Sequence, residues 1–199
     1  MDSFYKKSQI KSDTLLVSFA GNDIMYGGIP RFDFFNFFAK YFKEINQHFY
    51  LDKHKTSYHK GIEGLSKNID ETVEYLRNEI YNYEKVIFLG VSSGGYAAIL
   101  FGSLLGIDHV IAFIPQTIRL NKNIDEKYRD ISKYINNITQ YHIYGDLSVI
   151  NKNDCHHISH CERISNHDNV FIKKVERFNL KQMRDSGELF VIINDIIYD

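Results

Sequence analysis

Five consecutive residues, Gly90-Val91-Ser92-Ser93-Gly94, set one serine between two glycines in the spacing Gly-x-Ser-x-Gly. A serine hydroxyl becomes a nucleophile for acyl transfer when a tight strand-to-helix turn thrusts it out of the fold. Such a turn strains the serine backbone, and a Cβ at either flanking glycine would strike the adjoining strand or helix. The residues before Ser92 form an apolar run (85–91), and those after it, Gly94-Gly95-Tyr96-Ala97-Ala98, read as a helix of small residues. Ser92 is therefore expected to be the nucleophile; its competing use is as a plain helix N-cap. Gly94 and Gly95 leave the first-turn N–H groups uncovered, so the positive end of the helix faces a developing oxyanion.

An unassisted serine is a poor nucleophile at neutral pH and needs a base, itself oriented by an acid. Asp146, directly after Tyr144-Gly145, is the favoured acid; Asp154 competes with it and also suits a helix N-cap. For the base, His59 lies in Tyr58-His59-Lys60-Gly61, while His156, His157 and His160 crowd into Cys155-His156-His157-Ile158-Ser159-His160-Cys161. His59, His157 and His160 are carried forward as expected catalytic residues. The last cluster also raises a metal hypothesis. On a helix, His157 with Cys161 and His156 with His160 stand at i,i+4 on one face. Zn²⁺ would still lack ligands there, and the segment suits an ordinary amphipathic helix, so no metal is expected. Gly-x-Gly-x-x-Gly and P-loop patterns are absent, and no cofactor is expected.

The elements that would hold these groups alternate along the chain. Apolar β-type runs occupy 14–20, 47–52, 85–91, 109–114, 140–145 and 169–175, several continuously apolar, as strands buried on both faces are. Amphipathic stretches at 31–45, 64–83, 94–105, 125–137, 154–165 and 180–198 lie between or after them. This alternation predicts one α/β domain over 1–199, three-layered α/β/α, with a six-stranded mainly parallel sheet. Ligands in such sheets bind at the carboxyl ends of strands. The candidate site loops are accordingly 21–30, 53–63, 92–95, 115–122, 146–153 and 176–179. Asn22, Tyr58, Gln116 and Thr117 lie on them and are expected to line a substrate pocket. Arg31, Arg119 and Lys122 offer charge for a carboxylate or a phosphorylated sugar, with solvated surface charge as the plainer role.

With the serine turn following the third of six parallel strands, the chain resembles the α/β-hydrolase superfamily over nearly its full length. The resemblance implies that the family's first two, antiparallel strands and its lid are missing. It also implies an oxyanion hole made by the Ser93 N–H and a donor from Ala20-Gly21-Asn22, with Gly21 the expected position. Ile29-Pro30-Arg31-Phe32, Tyr58-His59-Lys60-Gly61 and Gly94-Gly95-Tyr96-Ala97-Ala98 look like small hydrolase-like proteins found beside polysaccharide or glycan synthesis enzymes. The family keeps its histidine after the last strand, near Phe178 or Asn179 here. No histidine occurs beyond His167, so a base must come from another loop.

Composition narrows the partners. The chain has 199 residues, 44% of them apolar, and a net charge of −1, which gives no electrostatic support for nucleic acid or an anionic membrane. No run approaches the ~18–20 apolar residues of a membrane span. The N-terminus lacks the apolar core of a signal peptide, and two close cysteines make no disulfide framework. A soluble cytoplasmic protein is expected, acting on a small-molecule or glycan ester by serine-dependent acyl transfer with a displaced base. The second reading is a hydrolase-like protein without catalysis that binds a glycan or protein through the same cleft.

Overall fold

The computed structural model describes residues 4–8, 10–23, 25–26, 29–119 and 124–199. Its strands are β1 (Tyr5–Lys7), β2 (Thr14–Phe19), β3 (Met25–Tyr26), β4 (Ile29–Pro30), β5 (Asn46–Tyr50), β6 (Lys85–Val91), β7 (His109–Phe113), β8 (Gln140–Asp146) and β9 (Val170–Val175). The α-helices are α1 (Phe35–Tyr41), α2 (Ile69–Ile80), α3 (Ser93–Leu105), α4 (Ser159–Glu162), α5 (Leu180–Asp185) and α6 (Glu188–Tyr198). Seven strands form one sheet in the order β1-β5-β2-β6-β7-β8-β9; β3 and β4 pair separately. All neighbours in the sheet are parallel except β1, which runs antiparallel to β5 with Tyr5 opposite Tyr50 and Lys7 opposite His48.

The sheet thus has one strand more than the six expected, a short antiparallel edge at the N-terminus. Three residues including Lys6-Lys7 carry no apolar pattern, so nothing local announces β1. Its lysines suit an edge: the Lys6 ammonium lies over the Phe35 ring, and Lys7 pairs with Glu79 at 2.7 Å. The expected helices are also shorter. Helix α1 waits until Phe35 because Phe34 takes a left-handed conformation (φ 63°). Asn68 caps α2 by accepting the Glu71 N–H, while the Glu71 carboxylate accepts the Lys67 N–H. The expected 125–137 helix resolves into two 3₁₀ turns, Glu126–Tyr128 and Ile131–Tyr134, each with an aspartate cap. Gly187 (φ 84°) divides the C-terminal stretch into α5 and α6.

Strand residues alternate between two cores. Leu15, Val17, Phe19, Val86 and Phe88 pack toward α2 and α3, whereas Leu16, Ile87 and Leu89 pack with the phenylalanines of α1 and the isoleucines of α6. Phe37 and Phe38 of α1 and Phe42 just after it are buried in this second core. Among the described residues no helix is long and apolar enough to cross a membrane.

The strand order decides where a ligand sits. From β2 the chain passes to β5 on one side, then returns to β6 on the other. The carboxyl ends of β2 and β6 therefore flank the point where the winding reverses. Gly21 follows β2 and Ser92 follows β6, so the sheet brings these two loops side by side.

Candidate active site

Ser92 has φ 57° and ψ −117°, a backbone region that L-residues rarely occupy. The turn is held by the Ser92 N–H donating to Phe113 O at 2.9 Å and by Tyr96 N–H donating to Ser92 O at 3.0 Å. Each flanking glycine is required sterically. A Cβ on Gly90 would lie 2.3 Å from the Gly94 backbone, and one on Gly94 would lie 2.1 Å from Phe19 O of the neighbouring strand. The serine side chain is left at the carboxyl edge of the sheet, half-buried.

The group that meets it is His156, whose Nε2 lies 2.7 Å from Ser92 Oγ. The hydroxyl donates in this bond when Nε2 carries no proton. His156 reaches the serine because its segment is a string of turns, where a long helix was expected. The Asp154 N–H donates to Asn151 O, the His157 N–H donates to Asp154 O, and helix α4 begins only at Ser159. A parallel bridge between His157 and Asp146 draws the same turns against the end of β8. Asp154 closes them by accepting the His156 N–H at 2.8 Å, and its carboxylate stands 3.7 Å from His156 Nδ1. That is ion-pair range and longer than a hydrogen bond. Ser92, Asp154 and His156 thus converge, with the last two contributed by one loop.

Other expected partners are engaged elsewhere. His59 is buried, with Nε2 2.9 Å from the Tyr96 hydroxyl and Nδ1 accepting the Asp125 N–H at 3.0 Å, so both ring nitrogens are used. His157 Nδ1 accepts the Ser159 N–H, and His160 Nδ1 accepts the Thr117 N–H. These three replace the catalytic geometry expected of them with loop-fastening bonds. Asp146 turns back on its own loop, accepting from the Ser148 N–H and hydroxyl at 2.7 Å each. Burial works to raise its carboxyl, but the Ser148 bonds and the Phe178 N–H outweigh it and hold the value below normal.

On the oxyanion side, the Ser93 N–H opens α3 and has no intrahelical acceptor. The Gly21 N–H, expected as its companion, donates instead to Asp33 Oδ2 at 3.0 Å. Asn22 lies next to it, and its Oδ1 accepts the Ser93 hydroxyl at 3.0 Å, tying the β2 loop to the serine turn. Asp33 was not singled out from sequence; a lone aspartate ahead of a phenylalanine helix gives no local signal of its long-range bond. Burial pushes its carboxyl up, with the Gly21 N–H opposing. Tyr58 is fully buried, and its hydroxyl donates to Tyr50 O and Ala20 O, so it fastens two strand ends. Gln116 and Thr117 are also buried, Thr117 through its hydroxyl on His160 O. Arg31 pairs with Asp23; Lys122 lies outside the described residues.

The i,i+4 pairs His157 with Cys161 and His156 with His160 do not share a helix face, since the helix covers only Ser159–Glu162. Cys161 is buried against Gly145, and burial pushes its thiol up to about 12. Among the described residues, the group of three metal-type ligand atoms within 4.8 Å of one another is that of Asp154, Cys155 and His156, the loop facing Ser92. A cavity of about 720 Å³ lies between α1 and α5, lined by Asp33, Lys40 and Arg184 among others, and includes neither Ser92 nor His156.

Burial of His59 lowers its pKa to about 4, and the same holds for His48. Both folded values lie below the usual 6.5, so the unfolded chain binds more protons between pH 6.5 and 4. Stability from these two residues is therefore present near neutrality, falls through that window and levels off below it. At pH 5 the loss is about 2 kcal/mol for each. Asp33 and Asp52, raised by burial, act in the opposite sense. Melting temperature is expected to fall by roughly 10 °C between pH 7.5 and 5. NMR titration should show both imidazoles still neutral at pH 5.5, and normal titration of either would overturn the assignment.

No family model and no curated protein matches the sequence. Solved structures do match the fold. A mutant capsule O-acetyltransferase of Neisseria meningitidis serogroup A in complex with CoA superposes with a TM-score of 0.65 at 14% identity, covering 96% of this chain and 91% of that one. MGS-MChE2, an α/β hydrolase enzyme from a lagoon-sediment metagenome of Mar Chica, Morocco, gives 0.58 at 15% identity, covering 96% and 92%. The Glycosylation Associate Protein complex from Streptococcus agalactiae gives 0.58 at 13% identity, covering 94% of this chain and 42% of that chain. At these identities the likeness is one of fold, and the fold is α/β-hydrolase-like.

Proposed function

We propose that this α/β-hydrolase-like chain is a serine-dependent acyl-transfer enzyme in which His156 is the base. The observation that carries the reading is the 2.7 Å contact between His156 Nε2 and Ser92 Oγ at a strained turn. As Ser92 Oγ bonds to the acyl carbon, its proton passes to His156 Nε2. The carbonyl oxygen becomes an oxyanion, received by the Ser93 N–H, the start of α3 and the Asn22 backbone amide. Collapse breaks the bond to the leaving oxygen or sulfur, which takes the proton from His156 and leaves an acyl-serine. A water or sugar hydroxyl, deprotonated by His156, then attacks the acyl carbon; as the bond to Ser92 Oγ breaks, His156 returns the proton to that oxygen and the enzyme is restored. Asp154 orients His156 through the turn and stabilises the imidazolium. Asp33 positions the β2 loop through Gly21.

Water as acceptor makes this an esterase, and a hydroxyl acceptor makes it a transferase. The O-acetyltransferase among the fold neighbours favours an acetyl group passed to a glycan hydroxyl, with a CoA thioester as donor. A fluorophosphonate probe tests the catalytic core. Wild type is expected to be labelled to one equivalent, and Ser92→Ala not at all. Absence of labelling across pH 6–9 would instead favour the non-catalytic binding reading.

A further inference from the structure

Arg119 stands out among the charged residues. It is 6% exposed, its Nε is buried without a hydrogen-bond partner, and no carboxylate oxygen of the described residues lies within 4.0 Å of its guanidinium. An arginine stays charged in a protein, and a buried cation without a counter-ion is costly. Evolution of a merely structural site would ordinarily pair or remove it.

The loop after β7 holds Arg119 in place from both sides. Thr117 is clipped to His160 through its N–H and hydroxyl. Ile118 bridges Asp130, and the Arg119 N–H donates to Arg129 O at 2.9 Å. The backbone is therefore committed, and the side chain is buried on the loop that follows the carboxyl end of β7. In the sheet β7 lies beside β6, and the Ser92 N–H donates to Phe113 O at the end of β7, so the loop that carries Arg119 follows the strand next to the serine turn. Thr117 of the same loop is tied to His160, four residues after His156, so the Arg119 loop borders the turns that meet Ser92.

We propose that Arg119 is the anion-recognition residue of this site, selecting esters that carry a carboxylate or a phosphate beside the scissile bond. The planar fork of guanidinium donors fits either group, and desolvation strengthens the pairing. The inference rests on the acyl-transfer reading for the word ester, whereas anion recognition by Arg119 is a matter of binding alone.

The test therefore reads binding with the nucleophile removed. In full-length Ser92→Ala, calorimetry would compare 4-acetoxybenzoate, its neutral methyl ester and 4-acetoxyphenyl phosphate. At least one anionic ester is expected to bind about tenfold or more tightly than the neutral one, the carboxylate and phosphate arms separating sugar acids from sugar phosphates as the natural class. Adding Arg119→Gln should abolish the difference, and Arg119→Lys should keep part of it, with circular dichroism confirming the fold. Equal affinity for all three probes, or discrimination that survives Arg119→Gln, overturns the proposal. If Arg119→Gln does not fold, the comparison within Ser92→Ala and the Arg119→Lys variant decides in the same way. Failure of fluorophosphonate labelling would sink the catalytic reading without touching this result.

Discussion

Replacing His156 with alanine is expected to cut turnover of an activated ester about 10³- to 10⁴-fold while leaving KM within a few-fold. Among the described residues the only histidine nitrogen hydrogen-bonded to Ser92 Oγ is His156 Nε2, at 2.7 Å. Its removal strands the serine proton at the moment of attack. The loss should appear equally in the rate of fluorophosphonate labelling, since that reaction needs the same deprotonation. His157→Ala removes the neighbouring ring, which bonds only within its own turn to Ser159, and should leave the rate within about threefold. Asp154→Asn keeps a turn-closing acceptor for the His156 N–H but loses the charge beside Nδ1, so its effect should fall between the two. A His156→Ala enzyme of near-normal rate, or inactivation by His157→Ala with the fold intact, would show that the base has been misassigned.

The second large effect concerns folding. Gly94→Ala is expected to destabilise the protein by more than about 3 kcal/mol, or to prevent its accumulation as soluble protein. The added Cβ would fall 2.1 Å from Phe19 O and 2.9 Å from Phe19 C. Both are backbone atoms of a strand locked between β5 and β6, so no side-chain rotation relieves the clash. Gly64→Ala is the useful contrast. It has a positive φ of 81° but open space around it, and should cost only the conformational penalty of about 1 kcal/mol. Denaturant titration of both variants distinguishes the mechanisms. A Gly94→Ala protein as stable as Gly64→Ala would mean that the strand and helix can separate, and that the elbow is less constrained than its contacts indicate.

These two expectations differ in how far the sequence alone reaches toward them. The elbow is local chemistry: glycines two residues on either side of a serine, after an apolar run and before small residues, admit few backbone paths. The parallel sheet is likewise written in the spacing of apolar runs, because strands buried on both faces cannot be polar on either. Ser92, the loop after β2 and the two-sided core follow from patterns of fewer than twenty residues each.

What escaped was whatever depended on how loops fold over the sheet. The stretch 154–165 carries helix-compatible periodicity, and on a helix His157 and His160 are as good as His156. The Asx turn at Asp154 and the bridge from Asp146 to His157 undo that helix and leave His156 facing the serine. Asp146 follows its strand as the family's acid does, yet satisfies itself on Ser148. Gly21 ends its strand as an oxyanion donor would, yet its N–H is taken by Asp33, twelve residues away. Short-range sterics and apolar periodicity thus determined the fold and the strained serine turn from sequence. Which histidine faces Ser92 and which group takes the Gly21 N–H were decided by contacts between segments far apart in sequence, whose partners are chosen by tertiary geometry after the strands have assembled.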